Sequence, residues 1–123
     1  MKILIVDDSK IAREMLKKTL KSLGYDDFEE AVDGEDGFNK YKQYKPDLVL
    51  SDIEMPKMDG FEGLKLIKEY DNDAYVVIIS SVANTQVLQQ TISSGAKNIV
   101  RKPLNGKKLQ DIVEKMKRDK GIE

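Results

Sequence analysis

The chain has 123 residues, 40% hydrophobic and 35% charged, with 21 Lys+Arg against 22 Asp+Glu for a net charge of −1. That size supports one domain with its own core, and that balance argues against direct nucleic-acid binding. With no Cys and no His, disulfides, thiolate metal sites, a Ser-His-Asp triad and an internal phosphohistidine are excluded, and chemistry is left to carboxylates, hydroxyls, amines or a hard metal.

Met1-Lys2 runs directly into Ile3–Val6, which predicts a first strand and is too short for a secretion signal. Ser9 then caps a helix whose apolar residues Ala12, Leu16, Leu20 and Leu23 recur at helical spacing, closed by Gly24. A less regular strand follows at Phe28–Val32, and a second helix spans about Glu35–Tyr44, with Phe38 and Tyr41 inward and Pro46 preventing continuation. Leu48–Leu50 is the third strand, and Leu64 and Ile67 mark a third helix over about Phe61–Tyr70. Tyr75–Ile79 is the fourth strand. Asn84–Ser94 reads as the fourth helix, with Val87, Leu88 and Ile92 inward and Gly95 at its end. A weaker strand, Asn98–Val100, precedes a last helix over about Gly106–Arg118, carrying Leu109, Ile112, Val113 and Met116. The best strands are continuously apolar, as in parallel sheets covered on both faces. Strict β-α alternation predicts an α/β fold: a doubly wound, five-stranded parallel sheet with helices on both faces. The longest apolar run, Ala74–Ile79, is far short of a membrane span. The missing cysteines fit a reducing compartment, so the expected location is cytoplasmic.

In such sheets, functional groups collect where strands end. The first strand ends in Asp7-Asp8, the third in Ser51-Asp52, the fourth in Ser80-Ser81, and the fifth in Arg101-Lys102-Pro103. Three crowded carboxylates call for a cation. With only oxygen donors available, Mg²⁺ is the expected one. A metal and a lysine beside a carboxylate are what phosphoryl transfer requires.

The opening Ile3-Leu4-Ile5-Val6-Asp7-Asp8-Ser9, the stretch Asp52-Ile53-Glu54-Met55-Pro56-Lys57-Met58-Asp59-Gly60, and Lys102-Pro103 together resemble the response-regulator receiver domains of two-component signalling. The likeness is to the stand-alone, chemotaxis-regulator kind, and it covers essentially the whole chain. It implies a flavodoxin-like strand order of 2-1-3-4-5 and a single receiver domain over residues 1–123 with no output domain. By this resemblance Asp52 is the phospho-acceptor, and Asp7, Asp8, Asp52 and the backbone carbonyl of Glu54 hold Mg²⁺. Lys102 pairs with Asp52 and then with the phosphoryl group, Ser80 bonds a phosphoryl oxygen, and Lys102-Pro103 is a cis peptide. Ser81, Val82 and Glu54 flank the site mouth. One position departs from the pattern: Ile99 stands three residues before the lysine, where receivers usually carry a switching Tyr or Phe.

Charge is unevenly spread. Asp26 to Phe38 holds seven acids and no base, Lys97 to Glu123 holds nine bases and four acids, and the 23 residues from Ala74 to Ala96 carry no formal charge. Asp33, Glu35 and Asp36 suit a helix N-terminus. The uncharged fourth helix, flanked by the basic last helix, is expected to be a contact face, since such a surface desolvates cheaply. By the resemblance, the face formed by the fourth helix, fifth strand and last helix binds a downstream protein target or a second copy. The resemblance implies a histidine kinase or phosphotransfer protein as the phosphoryl donor, and with no His the chain cannot be its own donor. The expectation is a switch, acting as a monomer or a phosphorylation-dependent dimer, not an enzyme with a separate product. Two alternatives stand beside it. A Mg²⁺-dependent phosphatase with an aspartate nucleophile would use Glu54 as its acid/base, but the Met55–Gly60 stretch and the missing capping insertion argue against it. A flavodoxin-like cofactor binder would need a phosphate loop after the first strand, where Asp7-Asp8 stands instead.

Overall fold

The computed structural model describes residues 1–53, 60–81 and 85–122. Within them, strands and helices alternate as β1 (Lys2–Val6), α1 (Lys10–Ser22), β2 (Asp27–Ala31), α2 (Gly34–Tyr44), β3 (Leu48–Asp52), α3 (Gly60–Tyr70), β4 (Val76–Ser80), α4 (Thr85–Ser93), β5 (Asn98–Arg101) and α5 (Gly106–Lys120). The strands pair in parallel in the order β2-β1-β3-β4-β5, the expected arrangement. No described helix is long and apolar enough to cross a membrane.

Alternation along each strand divides the apolar residues between two cores. Ile3, Ile5, Leu48, Leu50, Val77 and Ile79 pack with Leu20 of α1 and with Leu109, Ile112, Val113 and Met116 of α5. Leu4, Val6, Val49, Val76 and Ile78 pack on the other face with Tyr41 of α2 and Leu64 and Ile67 of α3. Covering both faces is why β1, β3 and β4 read as unbroken apolar runs. β2 has a neighbour on one side only and stays partly exposed along most of its length, which explains its irregular pattern.

Strand limits differ from expectation by a residue or two, because pairing continues past the apolar run. Asp52 still pairs with Ile79, and Ser80 with Arg101. The Ser9 hydroxyl caps α1 by accepting from Ala12 N at 3.2 Å, and Gly24 follows the helix at φ +98°, a conformation open to glycine without strain. Asp33 caps α2 by accepting from Asp36 N at 2.8 Å, while the Asp36 carboxylate accepts from Val32 N at 3.0 Å. The acid-rich start of α2 therefore has local work, as expected.

One expectation fails on α4. Ile92 is 50% exposed, and its neighbour Thr91 is fully buried instead. Spacings of three and four are equally helical, so Leu88 to Thr91 competes with Leu88 to Ile92. The polar threonine was the less obvious inward residue. Asn84, the expected first residue of this helix, lies outside the described residues.

Candidate functional site

After β1 the chain turns to one side to form β2, then returns past β1 to form β3 on the other side. Such a reversal opens a crevice at the carboxyl ends of the two central strands. β1 delivers Asp7 and Asp8 to it, and β3 delivers Asp52. Asp7 and Asp52 are 3% and 6% exposed, whereas Asp8 is exposed. One carboxylate oxygen from each of the three lies within 4.8 Å of the others.

Lys102, just beyond β5, reaches into this cluster. Its Nζ is 3.5 Å from Asp52 Oδ2 and 3.7 Å from Asp7 Oδ2. The lysine is positioned from behind by its own N–H, which donates to the Ser80 carbonyl at 2.9 Å, and the Lys102-Pro103 peptide is cis, as the resemblance implied. Ser80 ends β4 beside this level of the sheet and is 1% exposed. Ile99 pairs with Ile78 and packs partly buried against the core under α2 and α3. Ser81 is exposed at the rim, while Glu54 and Val82 lie outside the described residues. The structure thus brings Asp7, Asp8, Asp52 and Lys102 together and sets Ser80 on the adjoining strand end.

The fit to a hard divalent cation rests on this donor set. Three carboxylates crowded into less than 5 Å carry charge that the Lys102 ammonium offsets only in part, and oxygen donors suit Mg²⁺.

Two contacts at the site were not anticipated. Asp7 Oδ1 accepts from Ser9 N at 2.9 Å, and the Asp7 carbonyl accepts from Arg13 Nη1 at 2.6 Å. Arg13 follows the capping Ser9 by one helical turn, so its guanidinium can fold back over the end of β1. That spacing was the available signal. Arg13 Nε also meets Glu30 Oε1 at 3.0 Å, and Lys17 Nζ meets Glu30 Oε2 at 2.9 Å. Burial pushes the Glu30 carboxyl up, but the hydrogen bonds from Lys17 and Arg13 outweigh it and hold the group below its ordinary value.

Residues 3–114 match the response regulator receiver domain family. The chain belongs to that family. It is 44% identical over 110 residues to the chemotaxis protein CheY of Treponema pallidum, covering 88% of this chain and 76% of that protein. Against CheY of Bacillus subtilis the identity is 37% over 114 residues, covering 93% and 95%. Among solved structures, the CheX–CheY–BeF3–Mg complex of Borrelia burgdorferi contains a chain with a TM-score of 0.88 and 37% identity, covering 94% of this chain and 87% of that one. The receiver domain is thus homologous to chemotaxis response regulators, which are signalling switches and not enzymes of the usual kind. A match over so much of the chain favours this reading over the phosphatase.

Proposed function

We propose that Asp52 accepts a phosphoryl group from the phosphohistidine of a histidine kinase or phosphotransfer protein. The observation that carries this is the meeting of three carboxylates with Lys102 Nζ, 3.5 Å from Asp52 Oδ2. Asp7, Asp8, Asp52 and the Glu54 carbonyl would hold Mg²⁺, which when bound supplies positive charge beside the phosphoryl oxygens. An Asp52 carboxylate oxygen attacks phosphorus in line. The new O–P bond forms as the P–N bond to the donor imidazole breaks, and that imidazole leaves and takes up a proton. Lys102 exchanges its carboxylate partner for a phosphoryl oxygen, and the Ser80 hydroxyl donates to another. Hydrolysis then proceeds at the same site, with water attacking phosphorus and Asp52 leaving as a carboxylate. Both steps are self-catalysed, so the protein is a timed switch.

Residues 3–114 act as a receiver, in the cytoplasm, as a monomer or a phosphorylation-dependent dimer. The output is a changed α4–β5–α5 face that binds a downstream protein target, with Ile99 following the phosphoryl group in place of an aromatic ring. Homology to CheY proteins makes chemotaxis the process of choice.

With Mg²⁺ and a small acyl phosphate, mass spectrometry should show the protein gaining one phosphoryl group, and Asp52→Asn should gain none. Persistence of the gain in Asp52→Asn overturns the assignment. Steady turnover of an aryl phosphate in excess over protein would restore the phosphatase.

A further inference from the structure

Asp7 is held at four points. Its N–H donates to the Ala31 carbonyl at 3.0 Å, Oδ1 accepts from Ser9 N at 2.9 Å, Oδ2 faces Lys102 Nζ at 3.7 Å, and its carbonyl accepts from Arg13 Nη1 at 2.6 Å. Strand pairing, the helix cap and the site lysine account for the first three. The fourth is different, because a strand-end carbonyl beside an open rim can be satisfied by water. Here it is given a guanidinium whose side chain is only 12% exposed.

A partly buried cation needs a counter-charge, and Glu30 on β2 supplies it at 3.0 Å. The placement solves a second difficulty. An uncompensated guanidinium behind an acidic cluster would oppose the entry of a divalent cation. With Glu30 against it, Arg13 brings a directed hydrogen bond to the cluster and little net charge. The carbonyl it grips belongs to the peptide linking Asp7 to Asp8. That peptide is planar, so fixing its oxygen fixes the direction in which Asp8, the exposed member of the cluster, leaves the strand.

We infer that Arg13, locked by Glu30, is a positioning residue that sets the divalent-cation affinity of the Asp7–Asp8–Asp52 cluster by holding the Asp7-Asp8 peptide. The inference rests on the reading of that cluster as a Mg²⁺ site. Groups that orient metal ligands in this indirect way commonly carry large effects on affinity.

The test is a Mg²⁺ titration of the unphosphorylated protein by calorimetry, comparing wild type with Arg13→Ala, Arg13→Lys and Lys17→Ala. Lys17 pairs with the same Glu30 from the same helix, so merely loosening α1 from β2 would register in both alanine variants. Arg13→Ala should weaken Mg²⁺ binding about tenfold, Arg13→Lys should recover part of the loss, and Lys17→Ala should stay within about twofold. Arg13→Gln replaces the alanine variant if that variant does not fold. The inference is overturned if removing the guanidinium leaves affinity within about twofold of wild type. It is equally overturned if Lys17→Ala matches the loss or Arg13→Lys recovers none. A wild-type protein that binds no Mg²⁺ at all overturns the metal reading as well, so the two failures are distinguishable.

Discussion

The Tyr41 hydroxyl donates to Asp71 Oδ2 at 2.7 Å, as Tyr44 does to Asp27 and Tyr75 to Asp119. Burial, followed by the bond to Asp71, pushes the Tyr41 phenol well above its ordinary value of 10.0. A raised folded value favours the protonated phenol in the native state, so its contribution is whole below the unfolded value and is lost as pH rises toward the folded one. Tyr41→Phe should therefore cost about 1 kcal/mol at neutral pH. The gap in urea midpoints between wild type and variant should shrink between about pH 7 and about pH 11; an unchanged gap would refute the linkage. Such pairs were illegible in the sequence, because Tyr41 and Asp71 are thirty residues apart and meet only through folding. The candidate residues Asp7, Asp8, Asp52, Ser80 and Lys102 could be picked out in the sequence because each stands within two residues of the end of an apolar run. Arg13 was missed, since its one signal was the four-residue spacing from Ser9 and the backbone carbonyl it grips leaves no mark in the side-chain pattern.

At the level of elements, α2 and α3 cross where glycine meets glycine. A Cβ built on Gly63 would lie 2.8 Å from Gly34 Cα and 3.1 Å from its carbonyl oxygen. Backbone cannot step aside as a flexible side chain can, so Gly63→Ala should destabilise by roughly 1–3 kcal/mol. The urea midpoint should fall while the slope stays unchanged, and an unaltered midpoint would show that the crossing can give. The sequence placed α3 correctly through Leu64 and Ile67, which are 2% and 3% exposed, but nothing in that spacing reveals which helix it touches. β1, β3 and β4 were legible because burial on both faces leaves one composition open to them. α4 was harder: its short, uncharged surface presents Thr91 and Ile92 side by side, and only packing decides between them.

Across the whole molecule, the two ends of the sheet carry different work. The carboxyl ends gather the acidic cluster and Lys102, and β5 and α5 continue from that rim as a basic region beside the uncharged α4. If phosphorylation of Asp52 reshapes this face, beryllofluoride with Mg²⁺ should alter amide exchange across residues 85–104 and leave Asp52→Asn unaffected. Identical exchange with and without the mimic would remove the switch. The acid-rich segment from Asp26 to Phe38 plays no comparable part, since Arg13, Lys17 and Lys40 from α1 and α2 pair with Glu29, Glu30 and Asp36. Its charge, prominent in the sequence, is answered in part by these pairs.

The phenol pairs lie at the other end, and so do the remaining two tyrosines: Tyr25 follows α1 and Tyr70 closes α3. With five Tyr, no Trp and an isoleucine on β5, every strong ultraviolet chromophore lies toward the opposite end of the sheet from Asp52. The receiver is optically dark where it acts. A continuous kinetic assay of its signalling state therefore needs a reporter installed near the rim, because the native fluorophores watch only whether the protein is folded.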